Sequence, residues 1–127
     1  MANYSVAPLV PSLDLVFLAL GDPTRRAIVG RLGAGAASVT ELAAPFTMAL
    51  PSFMKHLGVL ERSGLIRSSK TGRTRTCELE PRVLESAQSW LDEQRALWES
   101  RTDRLANYVE QLHQKEKSNA ARQKPRP

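Results

Sequence analysis

Residues 49–75 read ALPSFMKHLGVLERSGLIRSSKTGRTR, and their hydrophobic period changes midway. In the first half Phe53, Leu57 and Leu60 fall at spacings of four and three, the buried stripe of a helix from about Leu50 to Arg62. Ser63-Gly64 stops it, because glycine adopts the left-handed conformation that ends many helices without a steric cost. Beyond the stop, Leu65–Ser69 and Thr74–Leu79 are short, β-prone segments around Lys70-Thr71-Gly72-Arg73, where Gly72 can take positive φ. A two-stranded hairpin is marginal alone in water, so this one must pack on the helices. With Phe53, Leu57 and Leu60 inward, Ser52 and Lys55 project outward together, and the hairpin tip presents Lys70, Arg73 and Arg75 with no acid beside them in the sequence.

Upstream, Ser38-Val39-Thr40-Glu41 matches a capping box and starts a short helix through Leu42 and Ala43 that Pro45 curtails. Two short helices joined by a tight turn make a helix-turn-helix, and the hairpin behind the second is then a wing. Earlier still, Asp22 can cap a helix with Pro23 in its first turn and Ala27, Ile28 and Leu32 buried. Leu13, Val16, Phe17 and Leu20 mark a first helix ended by Gly21. Residues 1–11 hold two prolines and no periodicity, which predicts a flexible lead-in.

Downstream, no Gly or Pro interrupts Val83 to about Gln114, and Leu84, Leu91, Trp98, Leu105 and Leu112 recur every seven residues. A helix of some thirty residues is about 45 Å long, so part of its apolar stripe needs a partner outside the chain's own core. A second copy is the economical one. The expected interface comprises Leu13, Phe17, Leu84, Trp90, Leu91, Leu97, Trp98 and Leu105. The expected organisation is a winged helix-turn-helix over 12–81, a dimerisation helix over 82–114, and a disordered basic tail over 115–127, too polar to offset the entropy of ordering. The fold class is mostly α with a small β-hairpin wing.

Composition agrees. At 127 residues and 42% hydrophobic content the chain can bury one core. It has no long apolar run and no leader-like start, which predicts a cytoplasmic protein. Its single cysteine, Cys77, can form no internal disulfide and reads as a small buried hydrophobe. The net charge of +5 is segregated: residues 55–75 hold six Lys and Arg against Glu61 alone, and an acid-rich stretch follows. Phosphate binding needs cations only where a duplex lies, so the pattern points to nucleic acid at the helix and wing.

Taken in order, Asp22-Pro23-Thr24-Arg25-Arg26, Pro51-Ser52-Phe53-Met54-Lys55-His56-Leu57, Val59-Leu60-Glu61, Gly64-Leu65-Ile66 and the Gly72-Arg73 wing resemble the arsenical-resistance repressor (ArsR) family over roughly residues 12–114. Cys77-Glu78-Leu79-Glu80-Pro81 and the tryptophan-bearing last helix are similar to the branch that has lost its metal ligands. The resemblance implies a homodimeric repressor on a palindromic operator, with the fourth helix in the major groove and the wing along phosphates. Ala49 and Met54 depart from it, since the family commonly has serine there: one forfeits a helix cap and the other a hydroxyl near DNA.

Several residues carry two readings. His56 lies at the edge of the buried stripe and suits either a DNA contact or a structural hydrogen bond. Arg25 and Arg26 suit an exposed first turn better than a phosphate contact. Trp90 and Trp98 follow the apolar stripe and suit a dimer core better than a ligand cage. A metal site is not expected, because the third helix has no thiol and His113 has no histidine one turn away. No cofactor is expected. Nor is catalysis: no phosphate loop, nucleophile elbow or zinc-protease helix occurs. The competing functions are a metal-responsive repressor and a dimeric helical adaptor that binds a protein through the winged domain. Arginines at the hairpin tip, in place of apolar anchors, count against the adaptor.

Overall fold

The computed structural model describes residues 12–122. Its elements run α1 (Leu13–Leu20), α2 (Pro23–Leu32), β1 (Ala37–Ser38), α3 (Val39–Ala43), α4 (Leu50–Arg62), β2 (Ile66–Thr71), β3 (Thr74–Leu79) and α5 (Pro81–Arg122). The chain divides after Ser89 into two units.

The first unit is built around α4. Phe53, Leu57 and Leu60 are fully buried and meet Val16 and Ala19 of α1, Ile28 and Leu32 of α2, Leu42 of α3, and Val83 and Ala87 from the first turns of α5. Ala27, expected in this stripe, is exposed, and Val29 packs on the core in its place. Phe46, between α3 and α4, sets its ring 5.7 Å from that of Phe53, so the turn of the helix-turn-helix is anchored by an aromatic contact.

The helix starts follow the local chemistry expected of them. Asp22 accepts from the amides of Thr24 at 2.8 Å and Arg25 at 3.2 Å. Ser38 and Glu41 form the reciprocal capping box. Ala49 occupies the N-cap of α4 with no side-chain hydrogen bond to its free amides. At the other end of α4, buried Ser63 donates to the carbonyl of Leu60 at 2.7 Å and accepts from the amide of Leu65 at 3.2 Å. Gly64 turns the chain at φ 82°. The Ser63 hydroxyl thus ties the end of α4 to the start of the wing.

The wing is wider than expected. β1 pairs antiparallel with β3 through Ala37 opposite Cys77 and Ser38 opposite Thr76, giving a three-stranded sheet in the order β1-β3-β2. Two residues between a glycine-rich loop and a helix cap carry no period, so only the pairing reveals them as a strand. In the hairpin proper Ile66 faces Leu79 and Lys70 faces Arg75, with Gly72 at φ 63° in the turn. Cys77 is buried in the core, as a small hydrophobe would be.

The second unit, from Trp90, is the continuation of α5. The helix begins at Pro81, slightly earlier than Val83, and runs to Arg122 without the expected stop near Gln114. The expectation of a disordered tail is corrected for residues 115–122; residues 123–127, like the lead-in over 1–11, lie outside the described residues. Low hydrophobicity did not prevent order here. Once a helix is nucleated, each added residue contributes one hydrogen bond, and Lys, Glu, Gln, Ala and Arg propagate it well. Gln114 also donates to Glu110 one turn back at 3.3 Å.

Candidate nucleic-acid interface

Because α4 turns its apolar stripe into the core, the opposite face is presented by default. Ser52 and Lys55 are exposed, as the stripe predicts. Leu50 and Pro51 in the first turn are exposed too, Leu50 at 59%. Leu50 falls at the spacing of Phe53, Leu57 and Leu60, so the period of the helix does not mark its exposure. Met54 is half-buried, packed against the core.

The wing carries four cations, and the structure separates them into two kinds. Lys70 and Arg73 are exposed and have no ion-pair partner among the described residues. Arg75 is bonded to the carboxylate of Glu61, which also accepts from the hydroxyl of Ser68 at 3.2 Å. Arg67 meets Glu78 at 2.9 Å and Glu80 at 3.4 Å. The expectation that Arg75 has no acid nearby is therefore corrected: its partner lies on α4, and only the packing of wing against helix brings them together. Glu61, Ser68, Ser69, Lys70, Arg73 and Arg75 line an open depression of about 550 Å³.

On its other flank α4 is held by α2. Nδ1 of His56 is 3.0 Å from Nη1 of Arg25 and 3.8 Å from the Asp22 carboxylate. The structural hydrogen bond that one reading gave His56 is present, made through Nδ1. Arg25 and Arg26 do not form an idle first turn either. Arg25 donates from Nε to the carbonyl of Ala19 at 2.8 Å and from Nη2 to that of Leu18 at 3.0 Å, and Arg26 reaches Leu20 at 2.8 Å. Both satisfy carbonyls at the end of α1, where the helix dipole also favours cations. Burial works to raise the Asp22 carboxyl, but the amides of Arg25 and Thr24 and the charges of His56 and Arg25 hold it below its ordinary value. Glu41 is likewise lowered, first by its hydrogen bonds to Ser38.

Of the apolar residues expected at an interface, Phe17 and Leu84 are half-buried against their own core and Leu13 is half-buried. Trp90, Leu91, Leu97, Trp98 and Leu105 are exposed, Trp98 at 67%. Leu15 and Leu18 of α1, not anticipated, are exposed as well. Among the described residues no three His, Cys, Asp or Glu side chains converge as a metal site requires, and no helix is long and apolar enough to cross a membrane.

A short helix, a turn, a second helix with a polar outer face and a basic wing together define a winged helix-turn-helix regulator of transcription. Residues 20–69 match the family described as a helix-turn-helix domain. The chain is 38% identical over 81 residues to the HTH-type transcriptional regulator Rv2034 of Mycobacterium tuberculosis, covering 64% of this chain and 76% of the relative. It is 32% identical over 79 residues to the transcriptional repressor SdpR of Bacillus subtilis, covering 62% of this chain and 88% of that protein. A crystal structure of an ArsR family transcriptional regulator superposes with a TM-score of 0.66 at 57% identity, over 68% of this chain and 96% of the other. The protein belongs to the ArsR family of transcriptional regulators, which are DNA-binding proteins and not enzymes.

Proposed function

We propose that the protein is a cytoplasmic, homodimeric repressor that binds a palindromic operator without a metal ion. The observation that carries this reading is the pairing of α4's exposed Ser52 and Lys55 with a wing whose Lys70 and Arg73 are uncompensated. In this reading α4 enters the major groove, where Ser52 and Lys55 reach base edges and exposed Leu50 can pack on a thymine methyl. Lys70 and Arg73 then sit on phosphates, which position the protein without reading sequence. Arg75 belongs to the same surface but is held by Glu61, so it contributes less than its neighbours.

The dimer is supported by the stripe from Trp90 to Leu112. Eight large apolar residues stay exposed there, among them Leu91, Trp98, Leu105 and Leu112 at heptad spacing. So much apolar surface on one helix marks an interface. An isologous pair would give two reading helices the two-fold symmetry that a palindromic operator mirrors. Metal independence is supported by the absence of a donor cluster among the described residues.

Selection of duplexes from a random-sequence pool by the purified protein, run with and without chelator, tests these points together. The expected product is an inverted repeat with half-sites about one turn apart, recovered equally in both arms. Enrichment that disappears with chelator would establish the metal-responsive alternative, and no enrichment at all would favour the adaptor.

A further inference from the structure

His56 stands where the buried stripe of α4 meets its exposed face, one turn after Ser52. Its side chain is 24% exposed. Nδ1 faces Arg25, whereas Nε2 has no hydrogen-bond partner among the described residues. A guanidinium has donors only, so a 3.0 Å contact from Nη1 requires the lone pair of Nδ1. In the neutral imidazole the proton must then reside on Nε2, because one ring nitrogen accepts and the other donates. The Asp22 carboxylate does not reverse this assignment. It lies 3.8 Å from Nδ1, beyond hydrogen-bond reach, and the same oxygen already accepts from two backbone amides.

Arg25 is well placed to impose this choice, because it cannot easily turn away. Its Nε and Nη2 are committed to the carbonyls of Ala19 and Leu18, so the planar guanidinium is fixed to the end of α1 and Nη1 is aimed at α4. We propose that Arg25 is a positioning residue for DNA recognition: it locks His56 in the Nε2–H tautomer and so makes His56 a hydrogen-bond donor to a backbone phosphate oxygen beside Ser52. A phosphate is the partner that fits, since a side chain on the flank of a helix in the major groove faces the groove wall, where the backbone runs, and not the base edges on its floor. The proposal rests on the placement of α4 in the groove given above.

Two measurements test it. In the full-length protein with ¹⁵N-labelled histidine, long-range ¹H–¹⁵N correlation recorded under conditions where the spectrum shows a neutral ring reports which ring nitrogen carries the proton. His113, the other histidine, is assigned by His113→Gln. The expected result is a protonated Nε2 and a bare Nδ1 in the wild type, and a mixture of tautomers in Arg25→Met. Binding to the selected duplex should fall roughly tenfold in Arg25→Met, the scale of one hydrogen bond to a charged group.

A double-mutant cycle with His56→Gln then separates positioning from mere bracing of the helices. Glutamine carries a donor near the place of Nε2 and has no tautomer to lose, so Arg25→Met should cost much less in that background. An equal loss in both backgrounds would overturn the proposal, as would a wild-type proton on Nδ1. The wild-type NMR result holds whether or not Arg25→Met folds. Failure of the duplex selection would instead refute the placement of α4, with the tautomer unaffected.

Discussion

The division of the wing cations into paired and unpaired ones makes a quantitative forecast for salt dependence. Each phosphate neutralised on B-DNA contributes about 0.9 to the slope of log K against log salt. Arg73 is exposed and uncompensated, so Arg73→Ala should lower the slope by about one such unit. Across a fourfold rise in salt that amounts to roughly a 3.5-fold difference in how steeply affinity falls. Arg75 is bonded to Glu61, and while that pair persists Arg75→Ala should weaken binding chiefly at low salt, by leaving a bare carboxylate near DNA. Glu61→Gln should do the reverse: it releases Arg75, raises the slope by about 0.9 and tightens binding at low salt. Fluorescence anisotropy with a labelled duplex at several salt concentrations between about 50 and 200 mM reads all three. An unchanged slope for Arg73→Ala would remove the wing tip from the contact set. A lowered slope for Arg75→Ala, with Glu61→Gln silent, would show that Arg75 leaves Glu61 for phosphate on binding.

Three further outcomes are expected. Leu91→Asp places a charge in the heptad stripe of α5 and forfeits about 1.5–3 kcal/mol of burial per copy, so sedimentation velocity should show monomers at micromolar concentration; a retained dimer would relocate the interface. Ala49→Ser supplies the missing cap of α4 and should add about 1 kcal/mol, visible as a rise in Tm, whereas an unchanged Tm would mean that the free amides are already satisfied. The Asp22 and Glu41 carboxyls titrate lower in the folded chain than in the unfolded one. Their contribution is therefore complete above the ordinary carboxylate range and is lost as pH falls below about 4 through the folded values. Asp22→Asn keeps a cap acceptor but cannot titrate, so its urea midpoint should fall less steeply between about pH 5 and 3 than that of the wild type; superimposable curves would show that Asp22 has no part in acid unfolding.

The features legible in the sequence are those whose cause lies within a few residues. Asp22, Ser38 and Gly64 mark helix ends through hydrogen bonds that span three residues or fewer, and Phe53, Leu57 and Leu60 mark the inner face of α4 through the period of the helix. From these alone follow the helix-turn-helix, the wing and the outward direction of Ser52 and Lys55. Where local rules were applied to long-range questions, they misled. The polarity of residues 115–122 suggested disorder, but helix propagation from the stretch before them decided otherwise.

Which charges on the surface are free was not a property of the sequence. Arg75 finds Glu61 across 14 residues, Arg25 finds His56 across 31, and β1 finds β3 through Ala37 and Cys77, farther apart still. Each pairing arises because the core draws helices and sheet together and leaves particular polar groups side by side, a consequence of packing that no window of neighbouring residues contains. The chain's local chemistry determined what the elements are and which way they face. Tertiary contact alone determined which arginines brace α4 and which are left uncompensated at the surface.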